Sequence, residues 1–152
     1  MCRLNQRPIA LLEFVSGFGC VTRHLKHVLP TSTIAACDIH PEAIRFLRER
    51  LETDAIQSNA VPEWLNVRRK FDVVFVLSFF SHMPKTTFAR CLQQLATAVA
   101  SGGFLIFTTH GRVTRDVILK DVQLDPEGFF FNPAREQKDF DSAEHGNIRS
   151  RC

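Results

Sequence analysis

Tyrosine is absent from this chain and tryptophan occurs once, although phenylalanine occurs 14 times. Proteins that bind single-stranded nucleic acid set stacking aromatics along a dense basic stripe. Here most phenylalanines lie in apolar runs and the net charge is only +3, so nucleic acid is unsupported as a partner. The basic runs at 45–50 and 68–70 read as a solvated helix face and a pre-strand loop. No apolar run reaches the roughly twenty residues that cross a bilayer, and no leader pattern precedes residue 10. The expectation is a cytoplasmic protein with no membrane contact. The five cysteines, Cys2, Cys20, Cys37, Cys91 and Cys152, form no C-x-x-C pair. Their odd number argues against a closed disulfide framework, and no metal site is expected. Cys20 falls at a predicted helix start, where a thiol can be reactive, but it reads better as a small buried residue.

What the chain has is enough apolar content, 45% of 152 residues, for the core of a single domain. The stretch LLEFVSGFGCVTRHL, residues 11–25, begins as a strand, breaks at Ser16-Gly17-Phe18-Gly19 and resumes with helical periodicity. Glycines there allow backbone conformations closed to other residues and let a ligand approach the main chain. The helix predicted over 20–29 would point unpaired amides at that ligand. About twenty residues on, IAACDIH repeats the strand pattern and ends at Asp38, the spacing at which an acid meets a ribose diol. The dinucleotide fingerprint G-x-G-x-x-G is incomplete, because Thr22 stands where its third glycine belongs. A nicotinamide enzyme is therefore disfavoured.

Further strands are expected near 55–58, 72–77 and 103–109, alternating with helix-forming segments, which implies a parallel sheet. Pro41 suits the first turn of a helix over 42–51, whose stripe is Ile44, Phe46, Leu47 and Leu51. FDVVFVL reads as a central strand covered on both faces. A helix over 86–100 is expected to close at Ser101-Gly102-Gly103. The polar and glycine positions then gather at the carboxyl ends of the strands: 13–19, Asp38, Asn59, 78–82 and 109–111. Open parallel sheets bind ligands along that edge.

On these motifs the chain resembles the class I S-adenosylmethionine-dependent methyltransferases over roughly residues 9–111. LLEFVSGFG resembles their first motif, with Glu13, Gly17 and Gly19 in place and Val15 where a glycine usually stands. ACDIHPEAI resembles the second, and the resemblance makes Asp38 the ribose acid and Ile39 a neighbour of the adenine. FDVVFVLSFFSHMP and LQQLATAVASGGFLIFTTHG resemble the later motifs, while Ser58-Asn59-Ala60 replaces the usual acid of the third. The resemblance implies one α/β domain, 1–152, a three-layer sandwich with a mostly parallel Rossmann-like sheet and helices on both faces. It implies S-adenosylmethionine as cofactor, held by Glu13, Ser16, Gly17, Gly19, Asp38, Ile39, Asn59, Ala60 and Ser78, and a small-molecule acceptor. His82 is the first candidate base and His110 the second; Phe79, Phe80 and Trp64 could line the site or pack the core. Residues 112–152 read as a partly irregular extension in which 128–133 offers one edge strand, leaving the C-terminal strand pair incomplete. An open sheet edge would favour self-association. Two other readings stay open: a cofactor-binding module without turnover, and a nicotinamide oxidoreductase.

Overall fold

The computed structural model describes residues 7–117, 120 and 123–131. Five strands, β1 (Ala10–Phe14), β2 (Thr33–Asp38), β3 (Asp54–Gln57), β4 (Phe71–Val76) and β5 (Val99–Phe107), form one sheet in the order β3-β2-β1-β4-β5. All four pairings are parallel. Helices α1 (Thr22–Val28), α2 (Pro41–Leu51), α3 (Lys85–Thr97) and α4 (Arg112–Val117) complete the regular elements of the described residues, with short 3-10 turns at Pro62–Trp64 and Phe80–His82. The strand order reverses between β1 and β4, where a doubly wound sheet opens a crevice at its carboxyl edge.

Strand alternation feeds two cores. Ala35 and Cys37 face one way with Leu12, Phe14, Val74 and Val76, and these pack with Cys91 and Leu95 of α3. Ala36 faces the other way, with Ala55, under Ile44 and Leu47 of α2. Each fully buried leucine of this kind contributes about 1.5–3 kcal/mol over its exposed state. Helix α2 forms as its sequence directs. Pro41 is its first residue, and Glu52 closes it in a left-handed conformation (φ +46°) with its amide donating to the Leu47 carbonyl.

The third crossover differs from expectation. Helix α3 stops at Thr97, and Ser101-Gly102-Gly103 lies inside β5 instead of ending the helix. Phe71 pairs with Val99 but Val73 with Phe104, so the strand bulges opposite Asp72. Gly102 takes φ +75° there, and a Cβ on Gly103 would meet the Asp72 carbonyl oxygen at 2.7 Å. The glycines thus serve a bulge whose backbone runs too close to β4 for side chains.

Strand β4 is also less covered than its apolar run implies. Phe71, Val74 and Val76 are buried, whereas Val73 and Phe75 are half-buried. Beside them Phe104 and Ile106 of β5 are 66% and 49% exposed. Among the described residues nothing pairs with the outer edge of β5. Gly128 to Phe131 form no strand, and the rest of the expected edge strand, 132–133, lies outside the described residues. Cys2 and Cys152 lie outside them as well. The basic residues of 45–50 and 68–70 are exposed, as their pattern indicated.

Candidate functional site

Strand β1 ends at Phe14 and the chain must turn at once into α1. It does so through three left-handed residues, Val15 (φ +62°), Gly17 (φ +53°) and Gly19 (φ +72°). For a β-branched residue that conformation is a genuine outlier, so the surroundings must hold it. They do. The Ser16 amide and hydroxyl both donate to the Cys37 carbonyl, at 3.0 and 3.3 Å, and the Gly19 amide donates to the Ser16 carbonyl at 2.9 Å. The Gly17 amide donates to Oδ2 of Asp38 at 2.7 Å.

Asp38 is 2% exposed, at the last position of β2. Its Oδ1 accepts the His40 amide at 3.0 Å, so each carboxylate oxygen holds one backbone amide. A carboxylate offers about four lone-pair sites, which leaves one on each oxygen for a ligand. Asp38 faces a cleft of about 170 Å³ between the carboxyl edge of the sheet and α3. Phe14, Val15, Ile39, Ala60, Pro62 and Phe79 form its apolar walls, and Ser58, Asn59 and Gln94 supply polar groups away from Asp38. Cys91, Leu65 and Leu95 close the deep end. Burial pushes the Cys91 thiol up to about 11, so it lines the cleft as a small apolar group and not as a nucleophile.

Of the sequence-derived candidates, Asp38, Ile39, Asn59 and Ala60 line this cleft together, and Gly17 reaches it through its hydrogen bond to Asp38. Glu13, Ser16, Gly19 and Ser78 do not line it. Ser16 and Gly19 shape the turn, and the Ser78 amide donates to Oγ1 of Thr108 at 2.7 Å. His82 and His110 are exposed and stand outside the lining, the His82 amide donating to the Phe79 carbonyl at 3.1 Å. Phe79 is a wall of the cleft while Phe80 is buried in the core. Trp64, the last residue of the 3-10 turn after β3, is 66% exposed and absent from the lining. Cys20 is exposed, because the turn carries residue 20 outward before α1 begins at Thr22. Sequence reasoning missed Phe14, His40, Pro62, Leu65, Cys91, Gln94 and Leu95. The last three share a face of α3 at i, i+3 and i+4, a signal visible in the sequence without any indication of what it faces.

Glu13 has a different place from the one expected. It is buried, and the Thr22 hydroxyl donates to its Oε2 at 2.5 Å, tying β1 to the first residue of α1 beneath the turn. Burial raises its pKa above the usual carboxyl value, against a smaller lowering by Thr22. A carboxyl whose pKa is raised on folding binds protons more tightly in the folded state, so its stabilising contribution is lost as pH rises above about 4.5. Glu13→Gln, which stays neutral, should therefore gain stability relative to wild type on going from pH 4.5 to pH 8. Thermal melting of both proteins across that range checks the sign, and parallel curves would refute it.

An open parallel sheet of this order, with a glycine turn after β1 and an acid ending β2, defines a Rossmann-like α/β domain. The methyltransferase-domain family model matches residues 12–105, well over half of the chain, and the chain belongs to that family. No curated protein matches it. Similar solved structures include DhpI, in a complex with SAM and HEP, at 24% identity over 89% of this chain and 69% of that one, TM-score 0.60. The plantazolicin methyltransferase BpumL, with SAH, is 18% identical over 78% of this chain and 45% of its own, TM-score 0.61. The sugar N-methyltransferase KedS8 from a Streptoalloteichus species is 21% identical over 80% and 43%, TM-score 0.55. These likenesses establish the fold. The chain spans 31% to 69% of the lengths of the first such structures. Among the described residues no helix is long and apolar enough to cross a membrane, and no cluster of three or more metal-ligating side chains occurs.

Proposed function

We propose that the cleft binds S-adenosylmethionine and that the domain directs its methyl group to a small-molecule acceptor. The observation that carries this reading is Asp38: a buried carboxylate at the end of β2 that holds the left-handed glycine turn and keeps acceptor capacity on the cleft side. The residues suit the nucleoside. A diol finds a two-oxygen acceptor in Asp38, and a flat base finds apolar walls in Ile39, Ala60, Pro62 and Phe79. When bound, the cofactor supplies an electrophilic methyl on a sulfonium centre. What the chain contributes is alignment of that centre with the acceptor, which in intramolecular reactions reaches effective molarities of about 10⁵–10⁸ M. The hydrogen bond from the Gly17 amide to Asp38 fixes the glycine turn before any ligand arrives. The likeness to a sugar N-methyltransferase and to the plantazolicin methyltransferase supports a small-molecule acceptor without identifying it.

The direct test is calorimetry with S-adenosylmethionine and its demethylated product, with NADH as control. Saturable binding of the first two alone is expected; a folded protein that binds neither overturns the reading, and NADH binding would favour the oxidoreductase.

His82 is the proposed base where the acceptor must lose a proton. Positioned bases give roughly 10²–10⁴-fold, but at an exposed site water and buffer take over part of the work. His82→Ala should therefore lower turnover about tenfold and leave cofactor affinity unchanged. Restoration of turnover by added imidazole would support the assignment; unchanged turnover would remove His82 from the mechanism.

A further inference from the structure

Besides Asp38 and the exposed His40 two residues beyond it, the cleft offers three polar side chains from which a nucleobase could be recognised: Ser58, Asn59 and Gln94. Two are already engaged. Ser58 hydrogen-bonds the Cys37 thiol, and Oδ1 of Asn59 accepts the Val61 amide at 3.0 Å, just ahead of the 3-10 turn at Pro62–Trp64. Gln94 differs. Its Nε2 donates to the Leu65 carbonyl at 3.3 Å, and among the described residues no donor meets its Oε1. A carbonyl can only accept, so the Leu65 contact decides which end of the amide is nitrogen and which is oxygen. The fork is held at one end, with a fixed acceptor left at the other.

We propose that Gln94 is the residue that reads the base, accepting the exocyclic amino group of adenine through Oε1, in place of the acid lacking at Asn59. This rests on the cofactor reading given above. The logic is one of donor and acceptor polarity. A 6-amino base donates to Oε1, whereas a 6-oxo base at the same position sets acceptor against acceptor. Turning the amide to offer Nε2 instead would break its hydrogen bond to Leu65. The cleft therefore selects adenosyl over inosyl ligands, and the selection comes from α3 and not from the loop after β3. Cys91, one turn earlier on α3, and Leu95, the next residue, are buried at the deep end of the cleft and keep water from this contact.

The test compares S-adenosylhomocysteine with S-inosylhomocysteine by calorimetry on the whole chain, with melting curves to confirm folding. Wild type should prefer the adenosyl ligand by roughly tenfold or more, the worth of one hydrogen bond and one avoided acceptor clash. Gln94→Leu should bring that ratio close to one. Gln94→Glu gives up the donor to the Leu65 carbonyl but is an acceptor at both oxygens, so it should still favour the adenosyl ligand, by a ratio well above one, even if the leucine variant folds poorly. Asn59→Ala should leave the ratio as it is. A preference that survives Gln94→Leu, or one that disappears in Asn59→Ala, overturns the assignment. Failure of wild type to bind either ligand would instead strike at the cofactor reading itself.

Discussion

Asp38→Ala is expected to weaken binding of S-adenosylmethionine and of its demethylated product by roughly 10²–10⁴-fold. Hydrogen bonds to a charged group contribute about 1.5–3 kcal/mol each, and a ribose diol makes two of them. The alanine removes more than the ligand contact. It also strips the acceptor from the Gly17 and His40 amides, which meet Oδ2 and Oδ1 at 2.7 and 3.0 Å. The Gly17 amide belongs to a turn with three left-handed residues, so loss of its partner frees a strained segment that the ligand must then reorder. Asp38→Asn separates the two contributions. An amide keeps one oxygen for one backbone donor but turns an NH₂ toward the other, donor against donor. Its ligand affinity should fall less than in the alanine variant, while exchange of the Gly17 amide in the ligand-free protein should speed up in both. If Asp38→Ala binds as tightly as wild type, the cleft is not the cofactor site. If affinity falls with no change in amide exchange, the carboxylate touches ligand without holding the turn.

How far the sequence reveals this site depends on whether the constraint on each residue is local. Asp38 and Pro41 were legible because a strand end and a helix start are written in adjacent residues, and β2 and α2 fall where the pattern puts them. The Ser101-Gly102-Gly103 run was misread because glycine marks a helix end and a strand bulge alike. What separates the two is the approach of Gly103 to the Asp72 carbonyl, a contact across 31 positions that no window contains. Apolar β4 was read as covered on both faces because hydrophobicity records what burial a strand would accept. It does not record what chain is present to supply it. The deep end of the cleft was hidden for a similar reason. Cys91, Gln94 and Leu95 read as an ordinary amphipathic face until the sheet shows what that face meets. Glu13 was read as a ligand contact from its motif position, yet strand alternation turns it to the face opposite Leu12 and Phe14, under Thr22.

The glycine turn supplies the second large effect, and its two glycines should behave differently. Gly17 and Gly19 both have positive φ, at +53° and +72°, so a side chain at either costs about 1–2 kcal/mol of backbone strain. Their surroundings diverge. A Cβ on Gly17 would meet nothing within 4 Å. One on Gly19 would press into Cδ1 of Leu51, come within 2.9 Å of Cδ2 of Leu47 and lie 3.3 Å from Oγ1 of Thr22. Leu51 is half-buried and can give way, but Leu47 is fully buried in the core under α2, and Thr22 holds Glu13. Overpacking of that kind typically adds about 1–3 kcal/mol. Gly19→Ala should thus destabilise the protein by about 2–5 kcal/mol and Gly17→Ala by about 1–2 kcal/mol. For a domain of this size that difference corresponds to several degrees in Tm, at about 2–4 °C per kcal/mol. Ligand affinity should show the opposite order, because the Gly17 amide is bound to Asp38 at the cleft whereas Gly19 faces α2. Melting curves and calorimetry on the two variants decide the matter. Equal loss of stability would mean that Leu47 and Leu51 yield freely, and that Gly19 is needed for its backbone conformation alone.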